Sequence, residues 1–287
     1  MSEAWRPLPR RRRQRWATGW IWLCVMLIAA YCLFPFYWMV VSSLRTPDTI
    51  FSNDLWPASP SLANYRSIFG SDYNFGYSLR NSVVVAGSST ALAMLVGTFA
   101  AYALARLRFR GKLFVLGTIL AAAMFPGAAL LPSLFQLFSD LGWIDHYHAM
   151  VVPYISFTLP LAIWILTSFF TQMPWELEEA ARIDGCTSRQ AFRLVIMPLA
   201  APGVFAAAIL VFITAWNEYL IASLVTLTSA SETVPAALAK FPGALGSQQP
   251  FGSGMAASVV VTLPLVVIVL LFQRRIVAGL TAGRIRD

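Results

Sequence analysis

The residues of this chain that could carry out catalysis are few: 21 basic residues, 13 acidic residues and 2 histidines among 287. His146 and His148 lie beside Asp145, but no further ligand is near them in the sequence, so we expect no metal site. The sequence has neither the G-x-x-x-x-G-K-[ST] loop that holds ATP phosphates nor the H-E-x-x-H pattern of zinc enzymes. These residues therefore predict a chain without catalytic activity of its own.

Four of the 13 acidic residues lie in one segment, residues 171–201: Glu176, Glu178, Glu179 and Asp184. Acidic side chains are favoured near the start of a helix, so this cluster predicts a helix that begins after Pro174. Gly185 is expected just past its end, in the left-handed conformation. Thr187 and Gln190 then form a capping-box pattern that begins a second helix, which Pro198 is expected to break.

The middle of this predicted helical hairpin contains Ala180, Ala181 and Gly185, whose lack of bulk would let another protein approach closely. The pair Glu178 and Arg182 also stands at the i, i+4 spacing of a helical ion pair. The alternative is an interfacial hairpin that only anchors the neighbouring membrane helices, with Trp175 at the lipid headgroups.

Glu218 is the only acidic residue inside an apolar run long enough to cross a bilayer. A carboxylate in that position is costly in lipid, which makes a functional role the default hypothesis. Trp216, Asn217 and Tyr219 add an amide and two aromatic rings that can stack on a polar ligand. The sequence leaves open a structural or gating role, an aromatic belt at the membrane interface, and direct ligand contact.

The elements that position these residues follow from the composition, which is 58% hydrophobic and 12% charged. Soluble domains average about 45–50% and about 25%, so a soluble protein is excluded. A nucleic-acid-binding domain is excluded as well, despite the net charge of +8, because the basic residues are scattered between apolar blocks. Six runs reach the roughly 17–25 residues that a bilayer helix requires: 17–41, 83–105, 113–131, 150–170, 202–225 and 256–272. We therefore predict an all-α, polytopic membrane protein with six transmembrane helices.

The basic residues predict the orientation of these helices, because cytoplasmic segments of membrane proteins retain Lys and Arg. With the N-terminus in the cytoplasm, 17 of the 21 basic residues lie on that side. We expect a basic cytoplasmic N-terminus at 1–16, the first transmembrane helix at 17–41 and an external loop at 42–82. A transmembrane core at 83–272, which contains the cytoplasmic loop 171–201, and a cytoplasmic tail at 273–287 follow.

Residues 179–198 read EAARIDGCTSRQAFRLVIMP. This segment resembles the signature loop of binding-protein-dependent ABC importer permeases, in which EAA, three residues, Gly and nine residues precede I-x-L-P. Val195 and Met197 replace the isoleucine and leucine of that pattern. The segments YALARLRFRGK, PLAAPG, AWNEYL and QRRIVAGLTAG resemble the carbohydrate-uptake branch, and within it the second permease subunit of maltose- and trehalose-type importers.

The resemblance implies a type I ABC importer permease fold in the bacterial cytoplasmic membrane. It implies a heterodimer with a second permease subunit, two ATPase subunits that use ATP and Mg, and an extracytoplasmic sugar-binding protein. The sugar would be a disaccharide such as trehalose or maltose. This chain would bind no cofactor and no nucleic acid, and would contact only these partners and the lipid bilayer.

The resemblance also implies roles for particular residues. The loop would dock on the ATPase, where Glu179 would pair with a basic group. The docking residues would be Glu179, Ala180, Ala181, Asp184, Gly185 and Pro198. Residues 216–219 would lie on the sugar's path, and the resemblance leaves open that the partner permease holds most of the sugar contacts. The tail at 279–283 is either a second ATPase contact or an anchor, and the loop at 42–82 either docks the binding protein or packs as an ordinary loop.

Three other classes remain as alternatives. One is a permease for another small solute, such as glycerol phosphate. A secondary transporter would be expected to show more intramembrane ionisable groups than Glu218, or repeated halves. A membrane enzyme would need a polar catalytic cluster, for which the sequence offers only His146, His148 and Asp145.

Overall fold

The computed structural model describes residues 10–70, 73–241 and 251–281, and this part of the chain contains helices and no strands. The ends of the predicted basic termini, 1–9 and 282–287, lie outside the described residues. The α-helices in chain order are α1 (Arg10–Ser43), α2 (Ala63–Ile68), α3 (Phe75–Arg106), α4 (Lys112–Ala123), α5 (Leu131–Asp140), α6 (His148–Gln172), α7 (Glu176–Ile183), α8 (Ser188–Ala191), α9 (Met197–Trp216), α10 (Leu220–Val225), α11 (Val234–Ala239) and α12 (Phe251–Thr281). The predicted all-α class is confirmed.

Five helical stretches are long and apolar enough to cross a bilayer: Thr18–Ser43, Phe75–Arg106, His148–Gln172, Ser188–Trp216 and Phe251–Gln273. A sixth crossing exists if the bent pair Lys112–Ala123 and Gly127–Asp140 counts as one span. That pair turns by 77°, so the third span is not the straight helix that the apolar run at 113–131 predicts. Pro126 lies at the break, where it supplies no N–H and keeps the residue before it out of the α-helical region.

The described residues form two compact units, of which the first comprises 10–67 with 251–259. Here α1 has exposed apolar side chains along most of its length, as expected of a lipid-facing helix. Just beyond α1, the buried Arg45 guanidinium lies over the Trp38 ring and donates to three backbone carbonyl oxygens of the following loop. Arg45 therefore holds the loop together and does not offer its charge to a partner.

The second unit comprises Ile68–Phe241 with Val260–Asp287, and α3, α6 and α9 pack together at its centre. The buried small residues of α3, Ala93, Gly97, Ala101 and Ala105, let the α6 backbone approach. A Cβ atom added at Gly97 would lie 3.2 Å from Ala162 Cβ. One hydrophobic cluster surrounds Trp216 toward the start of α3, and a second surrounds Phe170 toward its end.

Candidate functional site

The acid-rich segment folds as the predicted helix-Gly-helix hairpin, formed by α7 and α8. A Schellman motif ends α7: the Cys186 N–H donates to Ala181 O over 3.0 Å, and the Gly185 N–H donates to Arg182 O over 3.1 Å. Gly185 has φ of +90°, a conformation that side chains disfavour. Thr187 and Gln190 form the capping box, with the Thr187 N–H donating to Gln190 Oε1 over 2.8 Å.

The hairpin leads into α9 through a π-helical turn at Phe192–Ile196. The prediction that Pro198 breaks the second helix is wrong, because the chain stays helical from Ser188 to Trp216. Pro198 lies inside this continuous helix, two residues after the π-helical turn, where the irregular hydrogen bonding accommodates a residue without an N–H. The hairpin is therefore continuous with a membrane-crossing helix, and a displacement of α8 would be passed directly to α9.

The predicted docking residues do not all share one exposed surface. Glu179, Ala180, Asp184, Gly185 and Pro198 are exposed, and nothing lies within 4 Å of a Cβ atom added at Gly185. Ala181, in contrast, is buried and its methyl group belongs to the packing of the hairpin.

Ile183 is a surface residue that the sequence analysis missed. Its side chain is 86% exposed, one residue before Asp184. Ile183 lies between Arg182 and Asp184, so it adds an exposed apolar side chain to the surface that carries the exposed acidic groups. The sequence offered one signal for this residue: its position at the predicted end of the helix, two residues before Gly185.

The buried face of the hairpin also differs from the prediction. Glu178 is not paired with Arg182: its Oε1 accepts a hydrogen bond from the Tyr102 hydroxyl over 3.1 Å, and Arg182 Nη2 donates to Ser188 Oγ over 2.7 Å. Arg106, at the end of α3, donates from Nη2 to Met173 O over 3.0 Å and lies 4.8 Å from the centre of the Trp175 ring. Two long-range contacts thus hold the hairpin against α3.

Glu218 lies in a break of the predicted fifth span. The run 202–225 predicts one helix, but α9 ends at Trp216 and α10 begins at Leu220. Glu218 Oε1 accepts from the Ile221 N–H over 3.0 Å, and its Oε2 accepts from the Ala222 N–H over 3.2 Å. The carboxylate therefore accepts hydrogen bonds from two free backbone N–H groups at the start of α10. This explains how the chain tolerates a break at this place.

The neighbours of Glu218 differ in how far their side chains are exposed. Trp216 is 1% exposed and packs beside Phe212, so its ring has no free face for a ligand, unlike the prediction. Asn217 is exposed, although its amide donates to Ile213 O of its own helix over 2.8 Å. Tyr219 is 42% exposed.

A cavity of about 140 Å³ lies beside the break, lined by Gly127, Leu131, Tyr154, Phe157, Thr158, Thr214, Ala215, Glu218, Leu220 and Ile221. It joins the bend after α4 to the break after α9, two interruptions that composition alone does not reveal. Ligand sites usually measure roughly 300–1,000 Å³, so this cavity by itself is too small to enclose a disaccharide. Tyr154, Thr158 and Thr214 are the polar lining residues that the sequence analysis missed.

Asp145 lies in the loop before α6 and holds the loop after α10. Its carboxylate accepts hydrogen bonds from the Leu227 and Thr228 N–H groups, each over 3.0 Å, and from two hydroxyl groups. Burial alone would raise its pKa, but the bonds from Ser231, Thr228 and Leu227 outweigh that effect and lower the pKa to about 2. Asp145 thus has a structural role, and His146 and His148 beside it gain no further ligand: no metal-binding group of three was found among the described residues.

Comparison with solved structures defines the fold. The chain matches the crystal structure of a bacterial ABC transporter involved in the import of the acidic polysaccharide alginate, with a TM-score of 0.75 and 21% identity over 94% of this chain and 99% of the other. At that identity the likeness shows the fold alone. The fold is that of a type I ABC importer permease, as predicted.

The sequence comparisons define the family. Residues 93–282 match the family "Binding-protein-dependent transport system inner membrane component", and the chain belongs to that family. It is 45% identical over 272 residues to a trehalose transport system permease protein of Mycobacterium tuberculosis, covering 95% of this chain and 98% of that protein. It is 42% identical over 262 residues to a trehalose/maltose transport system permease protein of Thermococcus litoralis, covering 91% and 94%. The resemblance seen at residues 179–198 is confirmed, and the chain is a multi-pass transport subunit of the membrane.

Proposed function

We propose that this chain forms half of the translocation pathway of an ATP-driven sugar importer. The hairpin of α7 and α8 carries the proposal, because it presents exposed acids and an open glycine on a segment continuous with a membrane-crossing helix. Its partners are a second permease subunit, two ATPase subunits that bind ATP and Mg, and an extracytoplasmic binding protein. The chain itself holds no cofactor, and both of its termini lie in the cytoplasm of a bacterial cell.

The hairpin docks in a groove of an ATPase subunit. Glu179 and Asp184 supply charge for basic groups there, and Ala180 and Gly185 permit close approach. Ile183 enters an apolar part of the groove, since a protein contact would remove this exposed side chain from water. Closure of the ATPase subunits then moves α6 and α9, to which the hairpin is covalently joined.

The sugar passes along the face that carries the 140 Å³ cavity. Glu218, Asn217 and Tyr219 lie at its break, whereas the Tyr154 and Thr158 hydroxyl groups beside the cavity are buried and donate to backbone carbonyl oxygens of this chain. The small volume supports a path completed by the second permease subunit. The names of the relatives support a disaccharide such as trehalose or maltose as the substrate.

The substrate assignment is tested on the external binding protein. Titration with a panel of mono- and disaccharides should give the tightest binding for trehalose or maltose, and the same sugars should compete for uptake by the complete complex. Tight binding of a glycerol phosphate, with no disaccharide bound, would contradict the sugar assignment.

The energy source is tested by deletion of the ATPase subunits in cells that import the sugar. We expect uptake to be lost in that strain and in a strain without the binding protein. Uptake that survives loss of the ATPase subunits would instead identify a secondary transporter.

A further inference from the structure

The end of α3 meets the hairpin through buried polar groups that docking on the ATPase does not require. The Tyr102 hydroxyl donates to Glu178 Oε1 over 3.1 Å, and Glu178 is 8% exposed. The Tyr102 ring is held by two aromatic neighbours: its centre lies 5.9 Å from that of Phe170 on α6 and 4.6 Å from that of Phe192 in the π-helical turn. These contacts aim the hydroxyl at α7.

Arg106 makes a second attachment one turn further along α3. It is 4% exposed, donates to Met173 O and lies over the Trp175 ring, so it holds the two residues that flank Pro174 before α7. A guanidinium over an indole adds a favourable electrostatic contact to the hydrogen bond. The two attachments lie at opposite ends of the segment 173–178, which restricts its rotation relative to α3.

These groups are costly to bury. Glu178 Oε2 and Arg106 Nε are both buried and have no hydrogen-bond partner in the part of the chain that the structure describes. Apolar side chains of similar size would fill the same space without leaving polar atoms unpaired. The polar contacts therefore contribute direction and position more than net stability.

We propose that Tyr102, Glu178 and Arg106 are positioning residues that lock the hairpin to α3; we call the Tyr102–Glu178 and Arg106 contacts the α3 latch. This inference rests on the proposed function. Without the latch, a displacement of the hairpin reaches α3 only indirectly, through α6 and α9, which are joined to the hairpin by the chain and pack against α3. With the latch, α3 moves with them, so that the three helices at the centre of the unit respond to the ATPase as one body.

The latch is tested in the reconstituted complex by the number of ATP molecules hydrolysed per sugar imported. Tyr102→Phe removes one hydroxyl and keeps the packed ring. We expect this ratio to rise by about tenfold, which is the effect of losing one hydrogen bond to a charged group. Tyr77→Phe is the matched control, because Tyr77 lies exposed near the other end of the same helix, and it should leave the ratio unchanged.

Two variants of the acceptor separate positioning from simple stability. Glu178→Gln keeps an acceptor oxygen for Tyr102 and should retain a ratio within about twofold of the wild type, whereas Glu178→Ala should raise it as Tyr102→Phe does. The double variant Tyr102→Phe, Glu178→Ala should be no worse than either single variant, since both remove the same bond. A purely structural role would lower the yield of assembled complex and leave the ratio per complex unchanged.

The outcomes distinguish the latch from the function on which it rests. If the wild-type complex couples ATP to uptake and Tyr102→Phe does so with the wild-type ratio, the latch is refuted and the proposed function stands. If the wild-type complex imports sugar without ATP, the proposed function fails first. A ratio raised equally by Glu178→Gln and Glu178→Ala would also refute the latch, because the charge and not the hydrogen bond would then be responsible.

Discussion

The Asp145 carboxylate connects the loop before α6 to the loop after α10. Hydrogen bonds from the second loop lower the pKa of Asp145, because they favour its charged form. Since its pKa is about 2 in the folded chain against 3.8 for a free side chain, the charged form favours the folded state. This stabilisation is complete above about pH 4 and is lost as the pH falls from there toward about 2.

We expect Asp145→Asn to lower the stability of the folded chain by about 1–2 kcal/mol at neutral pH, a value kept small because solvent screens part of the charge. Thermal unfolding in detergent would measure the difference between wild type and variant. The difference should shrink between about pH 4 and pH 2, where the wild-type carboxylate takes up its proton. A difference that stayed constant over this range would show that the charge of Asp145 is not responsible.

Glu218 combines a structural contact with a position on the cavity. Glu218→Gln keeps one acceptor oxygen and removes the charge, so we expect the KM for sugar uptake to rise by about two- to tenfold, the effect of one lost hydrogen bond. Glu232→Gln is the control: Glu232 is buried and pairs with Lys240, and it does not line the cavity. Uptake kinetics that Glu218→Gln leaves untouched would remove Glu218 from the path.

Local signals made some residues predictable and left others hidden. Gly185 and the Thr187–Gln190 capping box follow from short-range backbone chemistry, so their conformations could be predicted from neighbouring residues. Glu178 could not, because its partner Tyr102 is 76 residues away and displaces the local pairing with Arg182. Arg106 was counted only as a basic residue of a loop, although the fold buries it.

At the scale of elements, α9 packs tightly against α6 at Gly203. A Cβ atom there would lie 2.5 Å from the Phe169 ring, so a larger residue must displace that ring or the helix. Gly203→Ala should therefore destabilise the chain by about 1–3 kcal/mol, measured as a lower melting temperature in detergent.

Gly117→Ala is the control for this substitution. Gly117 is also a helical glycine, but nothing lies within 4 Å of a Cβ atom added there. That variant should melt at the wild-type temperature or slightly above it, because alanine favours a helix over glycine by about 0.5–1 kcal/mol. Equal melting temperatures for the two variants would contradict the close approach of α6 and α9.

The interruptions of the helices show which parts of an element the apolar pattern cannot reveal. The six runs located the membrane-crossing segments, yet the 77° bend and the break at 217–219 lie inside runs that each predict a single helix. Pro126 is a local signal for the bend. The break after Trp216 has no such signal, because it depends on Glu218 accepting the free N–H groups of α10.

At the scale of the whole molecule, scarce charges mark both the orientation and the point of coupling. The basic residues are concentrated on one predicted side of the membrane, and the acid-rich hairpin lies on the same side. The family match from residue 93 to residue 282 covers the hairpin and the cavity together. The central claim is that the hairpin transmits the movement of the ATPase subunits, driven by ATP hydrolysis, to the sugar path beside Glu218.

Gly185 offers the sharpest test of that claim. Any side chain there is strained by the positive φ, at about 1–2 kcal/mol, so Gly185→Ala carries the strain without the bulk. Gly185→Arg carries the same strain, and its side chain meets nothing within this chain at the Cβ position. A loss specific to the arginine variant would therefore arise in the groove of the ATPase.

The most direct measurement is sugar uptake by proteoliposomes that contain the complete complex, with ATP on the side of the ATPase subunits and loaded binding protein on the other. We predict that Gly185→Ala imports sugar at a rate near the wild type, whereas Gly185→Arg loses ATP-driven uptake while its complex remains folded in the membrane. Wild-type uptake by Gly185→Arg at the wild-type number of ATP molecules per sugar would contradict the account.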